Sequence, residues 1–241
     1  MVAFQGANVV VTGGTGALGI AVVGSLRAAG AICHVTNMVA AELATYPHRD
    51  DPGVHIKSGV DLADEGAVQR FYAGLPPLWA SVHLAGGFAM SPAAETSSAA
   101  FVDQFQMNAL SSFLCSAAAI RAIRARRDPG PGGAEGGRIV NVAARPGIEP
   151  RLGSGMVAYA TAKAAVAAMT QALAQETADE EIWVNAVAPS ILDTPANRAA
   201  MPGADYASWV APSAAAEVIT FLASPDNKVT RGAVIPVYGG A

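Results

Sequence analysis

The run Asn8-Val9-Val10-Val11 passes directly into Thr12-Gly13-Gly14-Thr15-Gly16-Ala17-Leu18-Gly19, and this junction constrains the fold more than any other part of the chain. Three consecutive valines, apolar on every residue rather than on alternate ones, fit a strand covered by helices on both faces. The glycines that follow forbid a continuous helix. They let the backbone turn sharply and approach a pyrophosphate set at the N-terminus of the next helix. The surrounding stretch, residues 2–26, carries no charged side chain and on that count alone could be taken for a signal peptide or a membrane span. Gly6, Gly13, Gly14, Gly16, Gly19 and Gly24 interrupt it, and no Lys or Arg precedes it. It is therefore expected to hold a buried strand, a phosphate-binding turn and the start of a helix, in a cytoplasmic chain with no membrane partner.

The strand-then-helix order recurs to the far end. β-rich runs at residues 8–12, 31–36, 54–60, 79–85, 138–142, 182–188 and 233–237 alternate with helical patterns at 18–29, 67–73, 99–127, 156–178 and 213–223. Asp61-Leu62-Ala63-Asp64 leads from the third strand to a helix N-cap, and Asp128-Pro129-Gly130-Pro131-Gly132-Gly133 breaks the longest helix. This alternation predicts an α/β fold, a doubly wound parallel sheet with helices on both faces. Ligands of such sheets bind beyond the carboxyl ends of the strands, near the reversal of strand order.

Composition narrows the partners. The 241 residues are 52% hydrophobic and 14% charged, with mean hydropathy +0.33, which excludes a disordered chain and fits one domain over residues 1–241. Fifteen basic against nineteen acidic residues, net charge −4, give no footprint for nucleic acid. The short cluster Arg121, Arg124, Arg126 and Arg127 reads as a solvated helix end. Cys33 and Cys115 stand 82 positions apart (115 − 33), with no C-x-x-C and no Cys/His pairing of zinc-site type nearby, so neither a disulfide framework nor a metal is expected.

Tyr159-Ala160-Thr161-Ala162-Lys163 places a phenol and an ammonium four residues apart, on one face of a helix, in a chain with only three lysines. A neighbouring cation favours phenolate. Tyr159 is thus expected to titrate below the usual value of about 10 and to serve as general acid or base near neutral pH.

Taken together, in this order and at this separation, the glycine turn and the Tyr159/Lys163 pair resemble the motifs of the short-chain dehydrogenase/reductase family, over essentially the whole chain. The resemblance implies a Rossmann-type NAD(P)-binding domain that transfers a hydride to or from a small-molecule substrate, with Tyr159, Lys163 and Asn108 as its catalytic residues. Matching positions imply cofactor contacts at Gly13, Thr15, Gly16, Ala17, Leu18 and Gly19, at Asp61-Leu62 for adenine, and at Ala85-Gly86-Gly87 beside the ribose. Asn108 falls where the family has a helix-kinking asparagine that links the lysine to a water chain. Pro189, Ser190, Ile191 and Thr194 fall in the stretch that holds the nicotinamide carboxamide, through the Ile191 backbone and the Thr194 hydroxyl. Tyr159 and Lys163 also touch the cofactor in this scheme. The long helices at 99–127 and 156–178 resemble surfaces the family pairs, which implies a homodimer or homotetramer.

The departures are informative. The family's usual serine after strand five is Ala144 here, and the 15 positions from Ala144 to Tyr159 (159 − 144) are about two more than the common spacing. Ser154 and Arg145 are the candidates to replace the missing hydroxyl. The absent serine, Ala-Gly-Gly-Phe at 85–88 and LDTPANRAAMPGADYASW at 192–209 together resemble quinonoid dihydropteridine reductase. A quinonoid acceptor would make the serine dispensable; the other reading of 192–209 is a structural lid shared by a subgroup with other substrates. Met156, Tyr206 and Trp209 are further candidate substrate contacts, with Phe88 and Met90 in the same loops. Strand two ends in Thr36-Asn37-Met38, with neither an acid for a ribose hydroxyl nor an Arg for a 2′-phosphate, which leans to NAD(H) over NADP(H). The alternative raised by Ala144 is a non-catalytic dinucleotide-binding sensor or scaffold of the same fold.

Overall fold

The computed structural model describes residues 3–240; Met1, Val2 and Ala241, and with them the start of the uncharged stretch and both ends of the expected domain, lie outside the described residues. Seven strands form one sheet: β1 (Asn8–Thr12), β2 (Ile32–Asn37), β3 (Val54–Ser58), β4 (Leu78–His83), β5 (Gly137–Val142), β6 (Ile182–Pro189) and β7 (Val234–Val237). Their order is β3-β2-β1-β4-β5-β6-β7, and every neighbouring pair is parallel. The helices are α1 (Ala17–Ala28), α2 (Glu65–Ala73), α3 (Ser98–Phe105), α4 (Ser111–Ala125), α5 (Arg145–Ile148), α6 (Val157–Glu176), α7 (Pro195–Ala200) and α8 (Pro212–Ala223). This is the doubly wound α/β arrangement expected from the alternation.

The consecutive valines of β1 account for both covering layers. Val9 and Val11 pack with Val22 and Leu26 of α1 and Ile219 and Leu222 of α8, whereas Val10 packs with Leu114 and Ala118 of α4 and Leu173 of α6. The chain runs outward from β1 through β2 to β3 and then returns to set β4 on the other side of β1, so strand order reverses between β1 and β4. Register brings Thr12 level with Thr36 and with His83, and the turns after β1, β2 and β4 therefore open on one edge.

Several elements differ from their sequence-based bounds for local reasons. The run at 54–60 stops at Ser58 because Gly59 takes φ +72°, a left-handed conformation that no strand continues through. The pattern at 99–127 is α3 and α4 joined by a wide π turn at Gln106–Leu110. Asn108 makes that turn: its Nδ2 donates to the Gln104 carbonyl, the acceptor an α-helical backbone N–H of residue 108 would use. The expected cap at Asp64 is present, accepting from the Ala67 N–H. Short helical elements were not legible as helices, among them α5, α7 and 3-10 turns at Ala40–Ala44, Pro131–Gly133, Pro150–Leu152 and Tyr206–Ser208. Behind the site, the wholly buried His83 of β4 bonds Ser81 Oγ at 2.8 Å and Asn141 Oδ1 of β5 at 2.8 Å, and burial pushes its pKa down to about 4. No helix among the described residues is long and apolar enough to cross a membrane, and no group of three or more His, Cys, Asp or Glu among them could hold a metal ion.

Candidate active site at the carboxyl edge of the sheet

The glycine turn leaves β1 and ends on α1. Gly13 takes φ +64° and a Cβ there would lie 2.9 Å from the Ala85 backbone, so the turns after β1 and β4 touch only because this residue is glycine. A Cβ on Gly19 would collide with the Gly13 carbonyl, which fixes α1 close beneath the turn. Gly16 is the N-cap of α1 and offers no side-chain acceptor, and the first turn, beginning Ala17-Leu18, holds no acid. The free N–H groups and positive end of the helix dipole thus face the edge, the arrangement that binds phosphate.

Tyr159 and Lys163 lie one turn apart on α6, and the Lys163 Nζ stands 5.8 Å from the Tyr159 ring centroid. The ammonium donates to the Val142 carbonyl at the end of β5, 2.8 Å away. Asn108 comes in from the π turn, donating to the Gly87 carbonyl at 2.9 Å and accepting from the Gly87 N–H at 3.3 Å. A Cβ on Gly86 would lie 2.6 Å from Asn108 Oδ1 and 3.6 Å from Lys163 Nζ, so the Ala85-Gly86-Gly87 turn, Asn108 and Lys163 occupy one corner. The Tyr159 hydroxyl makes no hydrogen bond to another described residue, and its ring takes the edge of Phe88 at 4.9 Å.

The expected lowering of the Tyr159 pKa is overturned. Burial pushes the phenol up to about 12 and pushes the Lys163 ammonium down to about 8. Desolvation disfavours both charged forms, and the ammonium is aimed at a carbonyl rather than at the phenol oxygen, so its field does not offset that cost. At neutral pH the Tyr159 phenol is held protonated.

Around this corner, Ala144 is buried and extended, and its methyl stands at the position where the resemblance implies a serine hydroxyl. Neither candidate replacement is brought to it by a hydrogen bond. The Arg145 guanidinium pairs with Glu149 at 3.3 Å and lies over the Tyr238 ring at 4.4 Å, while Ser154 is exposed on the loop before α6. Met156, half-buried, precedes α6, and the Gly155 carbonyl accepts from the Ser91 N–H at 2.8 Å, tying this loop to the loop after β4. Tyr206 and Trp209 pack on each other at 4.8 Å, and the Tyr206 hydroxyl donates to carbonyls of Arg198 and Met201, so both are engaged within the 192–209 segment itself. Ser190 donates to the Tyr238 carbonyl, Ile191 is exposed next to Pro189 at the end of β6, and Thr194 caps α7 by accepting from the Asn197 N–H.

Asp61 is exposed and accepts from its own loop at the Ala63 N–H, while Leu62 is buried in the core. Asn37, at the end of β2, is 2% exposed; its Nδ2 donates to Thr15 Oγ1 at 2.8 Å, and its Oδ1 is buried without a partner among the described residues. The Thr15 hydroxyl donates in turn to Glu42 Oε2. Sequence reasoning missed Glu42. Its only signal was an acid five positions beyond the end of strand two. An uncapped helix N-terminus, a glycine turn pressed against the β4 loop and an orphaned buried acceptor beside it suit a dinucleotide.

Comparison with known proteins agrees with this geometry. The family described as short chain dehydrogenase matches residues 7–204. Bovine L-xylulose reductase is 29% identical over 98% of this chain and 96% of its own length. Galactitol 2-dehydrogenase of Rhizobium johnstonii is 31% identical over 98% of the chain and 95% of that protein. Among solved structures, a short-chain oxidoreductase from Pseudomonas aeruginosa PAO1, described as containing an atypical catalytic centre, superposes with TM-score 0.84 at 25% identity, covering 97% of this chain and 96% of that one.

Proposed function

Since the chain belongs to the short-chain dehydrogenase/reductase family, an oxidoreductase family, we propose that it moves a hydride between NAD(H), in preference to NADP(H), and a carbonyl/alcohol or quinonoid substrate, with Tyr159 as its acid. The observation that carries this reading is the meeting of Tyr159, Lys163, Asn108 and Gly86 in one corner beside an uncapped helix N-terminus. The nicotinamide, when bound, supplies or accepts the hydride. The α1 N-terminus and the 13–19 turn would hold the pyrophosphate, Asn37 and Thr15 the adenosine ribose, Asp61-Leu62 the adenine, and Ile191 and Thr194 the carboxamide. Lys163 would hold the nicotinamide ribose and, while protonated, stabilise the phenolate that forms as Tyr159 gives its proton to the substrate. Asn108 keeps the 85–87 turn in place and would return a proton to Tyr159 through water.

The methyl of Ala144 shapes the substrate. A second donor to a developing oxyanion is worth on the order of 10²–10³ in rate, and this corner has none after β5. That favours an acceptor whose charge spreads over a ring, a quinonoid dihydropterin among them, over an isolated ketone. Sugars and polyols like those named for the relatives are the second substrate class. The cytoplasm is the proposed location, with two or four copies of the chain associating.

Tyr159→Phe tests the assignment. Turnover should fall by about 10²–10⁴ while dinucleotide still binds by fluorescence titration; turnover unchanged by the substitution sinks Tyr159 as the acid. Stopped-flow absorbance at the nicotinamide band, with quinonoid dihydropterin, a ketone panel, a ketopentose and galactitol, sorts the substrates. Binding without turnover on every substrate would favour the sensor or scaffold reading.

A further inference from the structure

We propose that Glu42, and not a residue of strand two, is the group that makes this chain select NAD(H) against NADP(H). The inference rests on the dinucleotide reading above and goes beyond it by naming the discriminating charge. β2 ends in Asn37, a neutral residue, yet three polar side chains from three separate elements converge there. Thr15 of the glycine turn donates its hydroxyl to Glu42 Oε2, Asn37 Nδ2 donates to Thr15 Oγ1 at 2.8 Å, and the same Nδ2 lies 3.4 Å from Glu42 Oε2. Asn37 is further fixed by donating to the Val39 carbonyl at 3.0 Å, which sets the chain's exit from the strand and so the start of the Ala40–Ala44 turn that carries Glu42.

The carboxylate therefore sits between the pyrophosphate turn and the end of β2, where an adenosine ribose must lie if α1 holds the pyrophosphate. No ion pair joins Glu42 to a cation among the described residues, and the glycine turn at residues 13–19 contains no Lys or Arg. Lys57, on neighbouring β3 in register with Thr36, is exposed and makes no ion pair with it. A carboxylate that already accepts from one hydroxyl accepts equally from a ribose hydroxyl. Against a 2′-phosphate it is a like charge at hydrogen-bonding range, which costs affinity in a partly desolvated corner. Asn37 contributes by position, holding the Thr15 and Glu42 oxygens together while remaining neutral itself.

The test is the ratio of dissociation constants for NADH and NADPH, from fluorescence titration or calorimetry, which needs no substrate and no turnover. The wild-type chain should bind NADH at least about tenfold more tightly, and Glu42→Gln, which keeps the size but loses the charge, should narrow that ratio by about tenfold or more, through tighter NADPH and somewhat weaker NADH. Glu42→Asp should retain the discrimination. Should Glu42→Gln fail to fold, the wild-type chain still decides: the ratio should narrow as salt rises from about 0.05 to about 0.5 M, because repulsion between like charges is screened. A wild-type chain that binds neither nucleotide overturns the dinucleotide reading itself. Equal affinities, an NADPH preference, a ratio unchanged in Glu42→Gln or a ratio indifferent to salt overturns the role of Glu42 alone.

Discussion

At the scale of single residues, burial rather than proximity sets the chemistry of the Tyr159/Lys163 pair. The phenol stays protonated up to about 12 beside an ammonium that titrates near 8, so at neutral pH the pair carries its charge on Lys163 alone. The pH dependence follows in sign. Lys163 is charged below about 8 and loses its proton above it, so kcat/KM for reduction should fall as pH rises through about 8, and steady-state rates across that range measure it. Lys163→Met should lower the rate and remove the inflection, and an inflection that persists in the variant would assign it to another group. Because folding depresses this pKa, the group also makes the fold gain stability as pH rises from about 8 toward the usual 10.5 of lysine. The i, i+4 spacing made the pair visible in the sequence, but spacing says nothing about how far water is excluded.

At the scale of elements, the π turn at Gln106–Leu110 is the piece that couples a helix to the site. Asn108 spends one amide on two carbonyls, Gln104 within its own helix and Gly87 in the loop after β4, and so widens the helix while clamping the turn. Asn108→Ala leaves both carbonyls short of a donor. Urea denaturation should show a loss of about 1–3 kcal/mol, and dinucleotide affinity should drop with it as the 85–87 turn loosens. Asn108→Asp should not rescue, since an ionised carboxylate cannot donate; a rescue would mean that shape alone matters. Long uniform patterns such as 99–127 read as one helix because apolar periodicity is blind to a single extra residue in a turn. Short elements such as α5 and α7 escape for the opposite reason, because fewer than two turns leave no period to detect.

At the scale of the whole molecule, the described helices leave apolar side chains uncovered. Phe101, Val102 and Phe105 of α3, Phe113 of α4 and Val157 of α6 are 37–48% exposed, on the two long helical stretches whose resemblance to paired surfaces implies association. Light scattering should find two or four copies, and Phe113→Asp should shift the population toward monomer; a wild-type monomer at working concentration would refute the pairing.

The sequence by itself determined the sheet and its site edge. Three valines in a row demanded cover on both faces, the glycines after them demanded a turn, and alternation of strands and helices left parallel pairing as the consistent solution. Each of these rests on neighbours in the chain, which is why local pattern suffices. What only the tertiary structure decided are encounters between residues far apart in sequence: Glu42 reaching the Thr15 hydroxyl, Lys163 donating a hydrogen bond to the Val142 carbonyl, and Arg145 lying over the Tyr238 ring. Desolvation belongs with them. Whether a phenol is lowered by a cation or raised by burial depends on how much of the fold closes around both, and that sum is taken over the whole molecule.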